Sequence, residues 1–404
     1  GIRIHYVDDV NEIPDNVSLV VYTPAIPEDH KELNYFKENN FTLVKRSDVL
    51  GAITNSSFNI CVAGTHGKTT ISTMIAHLLR DSGFGTNAFL GGISVNYQTN
   101  FWSSSNNVSV AEADEYDRSF LKLNPDIAVI SSMDADHLDI YGDAETMENA
   151  FIEFGSRVKT GGLLISRLGL SRFKDFKNDH HLCYSLRDSS ADFYAENIRV
   201  NEGSYSFDLI LKNTKMLDLV LNMGGMHNLE NAVAAIAVAS HLGIEQVKIK
   251  EAISSFKGVR RRFEYVLKEK ERVMIDDYAH HPEELKALIT SAKELFTGKK
   301  SIVIFQPHLY TRTRDLAEGF AASLDLADEV ILLPIYPARE LPIEGVSSKL
   351  IAEKMKNKQV QVLSKNELLD WIKNNESELL ITSGAGDIDT LVEPIKNIIT
   401  GKKA

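Results

Sequence analysis

The stretch FNICVAGTHGKTT, residues 58–70, decides the predicted fold. It passes from a short apolar segment typical of a buried strand, through a glycine-containing turn, into the helix-like sequence KTTISTMIAHLLRDSG. The backbone N–H groups of such a turn, together with the N-terminus of the helix, form a binding site for anions. Lys68 adds a positive charge for the outer phosphates of a nucleotide, and a threonine hydroxyl is a suitable ligand for Mg²⁺.

This turn predicts a phosphate-binding loop, although the general pattern would have its first glycine at position 62, where this chain has Val. A plain turn between a strand and a helix is the alternative, because a bare GKT triplet occurs often by chance. The strand before the turn and the helix after it favour phosphate binding. The residues assigned to the nucleotide phosphates are Gly64, Thr65, His66, Gly67, Lys68, Thr69 and Thr70.

On both sides of this turn, short β-branched segments alternate with helix-like segments, which is the pattern of α/β proteins with parallel sheets. Residues 170–222 are more irregular and predict a small antiparallel excursion. A second α/β series begins near residue 265, after the basic run GVRRRF (258–263), which we interpret as a linker. We therefore predict three α/β domains, at residues 1–50, 51–260 and 261–404.

The bulk composition limits the possible classes of function. The chain has 44 basic and 56 acidic side chains and a formal net charge of −12, which argues against nucleic acid or an anionic membrane as the main partner. An anionic small molecule would need only a local basic site. Two cysteines are too few for a disulfide framework, and no apolar run approaches the roughly 18 residues of a membrane span. We expect a cytoplasmic protein whose partners are small molecules.

Two acidic clusters follow predicted strands of the first α/β series. AEADEYD (111–117) has four acids at the end of the strand VSVAEAD, and DADHLD (134–139) follows the strand IAVISSM. Ligands gather at the carboxyl ends of strands in such sheets, and Mg²⁺ prefers carboxylate and phosphate oxygens. The alternatives are a solvated acidic loop for the first cluster and a structural role for His137 in the second. The nearby phosphate-binding loop favours a metal or phosphate site for the first cluster, whereas both interpretations of His137 stay open.

Two further clusters follow strands of the second series. DDYAHHP (276–282) ends with a proline suited to the first turn of a helix. QPHLYTRTRD (306–315) lies between a strand and a helix predicted to follow TRTRD. Its two arginines and its histidine suit a carboxylate or phosphate, because guanidinium groups bind such anions in a bidentate manner. Surface salt bridges are the alternative, and the turn SGAG (383–386) is a weak signal by itself.

Together these segments resemble the Mur ligases of peptidoglycan synthesis. GTHGKTT, AEADEYDRSF, SMDADHLDIYG, GMHNLENAVAA, GVRRRFE, DDYAHHPEE, FQPHLYTRTRD, YPARELPI and SGAGDID follow in the family's order over nearly the whole chain. The resemblance implies a partial Rossmann-like N-terminal domain for a UDP-sugar and a central P-loop ATPase-type domain with a parallel sheet. It also implies a C-terminal Rossmann-like domain that closes onto the central one, with ATP and Mg²⁺ as cofactors.

The resemblance further implies roles for individual residues. In the implied reaction, ATP converts the lactyl carboxylate of UDP-N-acetylmuramate into an acyl-phosphate, which then forms an amide with L-alanine. The catalytic residues would be Lys68, His280 and Arg312. The metal would be bound by Thr69, Glu112 and His137, and the rest of the nucleotide by His227, Asn231, Arg262 and Asp277. The substrates would contact Tyr278, His280, His308, Arg312 and Arg314.

Two features depart from the family pattern. Leu309 stands where some relatives have Arg, so one substrate contact differs or comes from Arg314. No glycine-rich βα turn precedes Gly1, so we expect an incomplete first domain that binds the UDP-sugar poorly, and normal affinity of residues 1–404 would contradict this. We expect a monomer or a weak homo-oligomer. The open alternatives are a family member that attaches a tripeptide to the same sugar, a P-loop ATPase of another class, and a non-catalytic binding protein.

Overall fold

The computed structural model describes residues 3–23, 26–134, 138–212 and 214–401. The chain divides into two compact units. One unit contains Gly1–Lys68 and Asn106–Leu182, and the other contains Thr69–Ser105 and Cys183–Ala404. None of the helices in the described ranges combines the length and the apolar character that a membrane span requires.

Strands and helices alternate along most of the chain, as the sequence predicts. The strands are β1 (Val20–Tyr22), β2 (Leu43–Lys45), β3 (Phe58–Ala63), β4 (Asn87–Ser94), β5 (Thr99–Trp102), β6 (Val108–Glu112), β7 (Ile127–Ile130), β8 (Leu163–Arg167), β9 (His181–Ser185), β10 (Phe193–Asn201), β11 (Ser204–Leu211), β12 (Thr214–Leu221), β13 (Glu264–Lys268), β14 (Val273–Asp277), β15 (Ser301–Phe305), β16 (Glu329–Leu332), β17 (Val360–Val362) and β18 (Leu379–Ser383). The α-helices are α1 (Lys31–Glu38), α2 (Arg46–Asn55), α3 (Lys68–Asp81), α4 (Leu138–Tyr141), α5 (Ala144–Ser156), α6 (Met226–His241), α7 (Gln246–Ser255), α8 (Pro282–Leu295), α9 (Tyr310–Leu324), α10 (Ser348–Lys354), α11 (Lys365–Asn374) and α12 (Val392–Thr400). Short 3-10 helices cover Val10–Glu12, Tyr116–Lys122, Phe173–Asp175 and Asp387–Leu391.

The first unit is built on a parallel sheet with the strand order β8, β7, β3, β6. Strand β7 is buried along its whole length and β3 along all but its first residue, which indicates that both faces of the sheet are covered, as in α/β folds. Strands β1 and β2 pair in parallel and α1 lies between them in sequence, as the α/β pattern of residues 1–50 predicts. The buried strand predicted before the phosphate-binding turn is confirmed as β3.

Aromatic side chains form the centre of the core on one side of this sheet. The ring of Phe120 stacks on the ring of Phe154 at a centroid distance of 5.2 Å and meets the edge of Phe151 at 5.3 Å. All three side chains are inaccessible to solvent. Phe120 belongs to the short 3-10 segment that follows the acidic loop after β6, so this core also anchors the acidic loop.

The second unit contains the predicted antiparallel excursion. Strands β10, β11 and β12 form an antiparallel meander. The helix α6 that follows is rich in alanine and buried along most of its length. Its segment at residues 232–239 is apolar on all sides, as expected for a helix in a protein core.

The C-terminal series of the second unit forms a six-stranded sheet in the order β13, β14, β18, β15, β16, β17. All neighbouring strands are parallel except β13, which runs antiparallel to β14. The last residues of β14, β18 and β15 are cross-strand partners, because Asp277 pairs with Ser383 and Ser383 pairs with Phe305. The predicted clusters that follow these strands therefore leave the same edge of the sheet.

The start of α9 differs from the sequence prediction, which had this helix begin after TRTRD. The helix begins at Tyr310, so Arg312 and Arg314 lie in its first turns. Glu340 accepts hydrogen bonds from the backbone N–H of Thr311 (3.0 Å) and from its hydroxyl group. A side chain distant in sequence thus satisfies groups that a helix N-terminus leaves unpaired, and this shifts the start of the helix.

We predict that Phe120→Ala destabilises the first unit by about 3–5 kcal/mol, because it removes a fully buried ring and leaves a cavity. Both tryptophans, Trp102 and Trp371, lie in the second unit, so tryptophan fluorescence would not report on the first unit. Hydrogen exchange of the amides of β3 and β7 is therefore the suitable measurement. Phe101→Ala is the matched control, since this ring is 52% exposed. Equal exchange rates in the two variants would contradict the prediction.

Candidate nucleotide and substrate sites

The turn after β3 is held by the segment that follows β7 in the first unit. Gly64 has a φ of +137°, and a Cβ at this position would lie 2.2 Å from Oγ of Ser131 and 2.8 Å from the backbone N of Ser132. Ser131 Oγ donates a hydrogen bond to the carbonyl oxygen of His66 (2.5 Å) and lies 3.2 Å from that of Ala63. Only glycine fits here, on grounds of both space and conformation.

The second serine of this segment completes the bracing of the turn. Ser132 Oγ accepts a hydrogen bond from the backbone N–H of His66 at 2.7 Å and lies 3.0 Å from the hydroxyl of Thr65. The hydroxyl of Thr65 also accepts from the backbone N–H of Asp134 at 3.0 Å. The sequence prediction missed both serines, because nothing in the pattern after a strand distinguishes a bracing hydroxyl from an ordinary polar residue.

Lys68 makes an ion pair that the sequence prediction did not identify. Its Nζ lies 2.7 Å from each carboxylate oxygen of Glu115 and 2.7 Å from the carbonyl oxygen of Gly64. The Glu115 side chain is 1% exposed, and burial raises its pKa, while the charge of Lys68 acts in the opposite direction. Tyr141 donates a hydrogen bond to the backbone carbonyl of Glu115 at 2.6 Å. The structure thus brings together Lys68 of the phosphate-binding turn and Glu115 of the acidic loop.

The predicted metal ligands are only partly described. Glu112 ends β6, next to Val62 of β3, and its side chain is half-buried. Thr69, a buried residue of α3, lies in the second unit. His137 lies outside the described residues, which contain no cluster of three or more histidine, cysteine or acidic side chains arranged to hold a metal ion. The oxygens of Glu112 and Thr69 have the chemistry that Mg²⁺ prefers. The assignment of these residues to a metal ion stays a prediction.

In the second unit, the linker arginine Arg262 lies close to Thr69 and Asp277. Its Nη2 is 3.5 Å from the Thr69 hydroxyl. Asp277 accepts hydrogen bonds from the backbone N–H groups of Phe263 (2.6 Å) and Ala279 (2.7 Å). Burial raises the pKa of Asp277 to about 6, although both N–H groups and the charge of Arg262 oppose this shift. Three residues assigned to the nucleotide or its metal therefore lie in one polar cluster.

The preceding arginine, Arg261, has a different environment. Its guanidinium donates to the carbonyl oxygen of Gly384, lies 3.5 Å from Asp276 and sits over the Tyr278 ring at 5.0 Å. Burial raises the pKa of Asp276 to about 7, whereas a hydrogen bond from Thr382 and the charge of Arg261 lower it. Arg261 thus ties the linker to the Gly-rich turn after β18. The run of three arginines in the sequence gave no signal as to which one has this role.

A cluster of aromatic and basic side chains lies beyond the ends of β14 and β15. The ring of His280 is 5.2 Å from the ring of Tyr278 and 6.3 Å from that of His308. Burial lowers the pKa values of both histidines, and the charge of Arg312 lowers them further. Among the described residues, Nδ1 of His308 and Nη1 of Arg312 are buried without a hydrogen-bond partner. A buried guanidinium donor without a partner is costly, so this cluster is suited to an anionic ligand that would accept from Arg312.

The loop YPARELPI (336–343) orients this cluster. The Tyr336 ring stacks on the His308 ring, with centroids 5.7 Å apart and an interplanar angle of 15°. The backbone carbonyl of Tyr336 accepts from the N–H of Leu309 at 2.9 Å, and Glu340 caps the start of α9. Leu309 itself has a positive φ of 71°. This loop is part of the family resemblance but had no predicted role, because such contacts join segments about 30 residues apart.

The remaining predicted residues lie elsewhere in the second unit. Arg314 is paired with the neighbouring Asp315 at 2.7 Å on the surface. His227 and Asn231 lie in the first turns of α6, where Nδ2 of Asn231 donates to Asn228 at 3.3 Å. Their assignments to substrate and nucleotide stay predictions.

The fold and the braced turn define an α/β protein of the P-loop type, and comparison with known proteins gives the family. Residues 62–239 match the Mur ligase middle domain, and residues 261–386 match the Mur ligase glutamate ligase domain. The chain belongs to the Mur ligase family and is an ATP-dependent ligase. The predicted family, three-domain α/β class and ATP use are confirmed, whereas the predicted domain boundaries and individual site residues stay predictions.

Individual relatives agree with this assignment. UDP-N-acetylmuramate–L-alanine ligase of Parabacteroides distasonis is 49% identical, with 99% of this chain and 88% of that protein covered. The protein of the same name from Christiangramia forsetii is 46% identical with the same coverage. The crystal structure of UDP-N-acetylmuramate-alanine ligase from Thermotoga maritima has a TM-score of 0.83 at 27% identity and covers 98% of this chain and 88% of that one.

We predict that Arg312→Gln raises the pKa values of His280 and His308, because a neighbouring positive charge opposes protonation of an imidazole. Both values should stay below the ordinary one, since burial is the largest cause of each shift. An NMR titration of the imidazole signals measures the effect. Arg314→Gln is the control, because Arg314 is paired on the surface and should leave both titrations unchanged. Unchanged titrations in Arg312→Gln would contradict the described geometry.

Proposed function

We propose that this ligase joins L-alanine to the lactyl carboxylate of UDP-N-acetylmuramate, with conversion of ATP to ADP and phosphate. The full-length relatives with this name supply the particular substrates. The observation that carries the proposal is the buried Nη1 of Arg312, which, like Nδ1 of His308, has no hydrogen-bond partner within the described part of the chain. A carboxylate of either substrate would accept from Arg312, and also from His308 in the tautomer that carries the hydrogen on Nδ1. Bidentate recognition of carboxylates is a property of guanidinium.

The nucleotide phosphates bind at the braced turn of residues 64–68. A turn whose shape is fixed before binding loses little conformational entropy when the phosphates arrive. Lys68 offsets the charge that builds on the phosphoryl oxygens when the lactyl carboxylate attacks the γ-phosphorus. Arg262 and Asp277 are assigned to the same nucleotide by the family resemblance, as are His227 and Asn231.

The family resemblance assigns a magnesium ion to Thr69, Glu112 and His137. When bound, the ion neutralises part of the phosphate charge during phosphoryl transfer. Thr69 and Glu112 supply oxygen, which is the ligand type that Mg²⁺ prefers.

We assign to His280 the positioning of the amine of L-alanine and the removal of its proton. Its Nδ1 lies 3.0 Å from the carbonyl oxygen of Tyr278 and 3.4 Å from the carboxylate of Glu284. Because both neighbours are acceptors, Nδ1 carries the hydrogen in the neutral ring, and Nε2 has the free lone pair. The lowered pKa favours this neutral form at neutral pH. The deprotonated amine attacks the acyl carbon, and phosphate leaves with the oxygen that bridged carbon and phosphorus.

The partners under this proposal are small molecules, without nucleic acid or membrane, and the protein is a cytoplasmic monomer or weak homo-oligomer. A net charge of −12 and only two cysteines support this proposal. Sedimentation at several concentrations tests the assembly state.

We predict that ADP release requires both UDP-N-acetylmuramate and L-alanine, and that mass spectrometry detects the alanyl product. A murein tripeptide in place of L-alanine should give no product. The matched control is Lys68→Met, which keeps a long side chain but lacks the charge and should lose activity. Product with the tripeptide alone would favour the related tripeptide ligase, and ADP release without the sugar would favour a hydrolase. Either result contradicts the proposal.

The three linker arginines provide a second prediction. Arg262→Ala should lower turnover and raise KM for ATP about tenfold or more, because a hydrogen bond to a charged group contributes about 1.5–3 kcal/mol. KM for L-alanine should not change. Arg261→Ala should instead lower the free energy of unfolding by about 1.5–3 kcal/mol, since it removes the bonds to the Gly384 turn.

Arg260→Ala is the control for both effects. This side chain is exposed and contacts Gln98, so kinetics and stability should match the unaltered protein. Steady-state kinetics and urea unfolding distinguish the three variants. Unchanged turnover in Arg262→Ala would contradict the nucleotide assignment.

A further inference from the structure

Lys68 uses all of its donors within the protein, two of them in the ion pair with Glu115. An ammonium group has three N–H donors. In this structure Nζ of Lys68 is 2.7 Å from three acceptors: the two carboxylate oxygens of Glu115 and the carbonyl oxygen of Gly64. A phosphate oxygen can therefore bind Nζ only if one of these bonds is given up.

The surroundings of Glu115 show which bond would be given up. The carbonyl oxygen of Gly64 belongs to the braced turn, which Ser131 and Ser132 hold in place. The backbone carbonyl of Glu115 accepts a hydrogen bond from Tyr141. The two carboxylate oxygens of Glu115 are equivalent acceptors, because each lies 2.7 Å from Nζ of Lys68. Lys68 can keep one carboxylate oxygen and release the other, so the buried charge of Glu115 keeps its cation. Complete separation would leave a buried carboxylate unpaired, which is far more costly.

We propose that Glu115 is a further residue of the nucleotide site, which holds Lys68 at the turn and sets its affinity for nucleotide phosphates by competing for one of its donors. The proposal rests on the proposed binding of nucleotide phosphates by Lys68. The carboxylate and an incoming phosphate are both anionic acceptors for the same N–H group. Nucleotide affinity is therefore lower than the charge of Lys68 alone would give.

The test is the affinity of Mg·ADP for the full chain, measured by isothermal titration calorimetry without the other substrates. Glu115→Gln removes the charge and one acceptor oxygen but keeps the size of the side chain. The dissociation constant should fall about tenfold, because a charge-assisted hydrogen bond no longer opposes the phosphate. Glu115→Asp keeps the charge and should bind Mg·ADP much less tightly than Glu115→Gln.

Asp117→Asn is the matched control. It removes the same charge from the same acidic loop, but Asp117 is exposed and pairs with Lys45 at 3.3 Å. Its dissociation constant should equal that of the unaltered protein. An equal gain in Asp117→Asn would show that general charge, and not competition at Lys68, sets the affinity, and would overturn the inference.

The remaining outcomes separate this inference from the proposed function. No binding of Mg·ADP to the unaltered protein would contradict the proposed function itself. Normal binding to the unaltered protein, with weaker or unchanged binding to a folded Glu115→Gln, would overturn only the role of Glu115. Circular dichroism and the urea midpoint establish that the variant is folded.

Discussion

The close approach of Gly64 to the segment after β7 is the contact on which the first site depends. A side chain at this position would lie 2.2 Å from Ser131 Oγ, so the turn reaches this position only with glycine. The two serines can then bond to the turn backbone, and the carbonyl of Gly64 can accept from Lys68. The position of Lys68 and its bond to Glu115 follow from this contact. A steric constraint in the backbone thus determines the electrostatics of the site.

The two polar sites differ in how well their donors are satisfied. At the turn, Lys68 has a full set of acceptors within the protein, so a phosphate must replace one of them. Beyond the end of β15, Nη1 of Arg312 and Nδ1 of His308 have no hydrogen-bond partner in the ranges that the structure describes, so a carboxylate would add bonds and displace none. Under the two proposals, the first arrangement lowers the affinity for nucleotide phosphates, and the second favours binding of a carboxylate. Tyr336 and Glu340 maintain the second arrangement from a distant loop.

Sequence reasoning predicted the elements whose signal is local. The strand, turn and helix around Lys68 and the clusters at strand ends are visible in short windows, because apolar patterning and glycine placement are local properties. The pairing of Lys68 with Glu115 joins residues 47 positions apart, and the cap of α9 by Glu340 joins residues 29 apart. These contacts depend on tertiary packing, so composition and spacing did not reveal them. The same limit applies to the three linker arginines, whose environments differ although their sequence context is uniform.

In the proposed reaction, the lactyl carboxylate attacks ATP, and the amine then displaces phosphate from the resulting acyl-phosphate. Transfer of oxygen-18 from the carboxylate to phosphate tests this order of steps. UDP-N-acetylmuramate labelled with oxygen-18 in both oxygens of its carboxylate would be turned over with ATP and L-alanine in unlabelled water. We expect inorganic phosphate that carries one labelled oxygen for each amide formed. Unlabelled phosphate would contradict this order of steps, because its new oxygen would then have come from water.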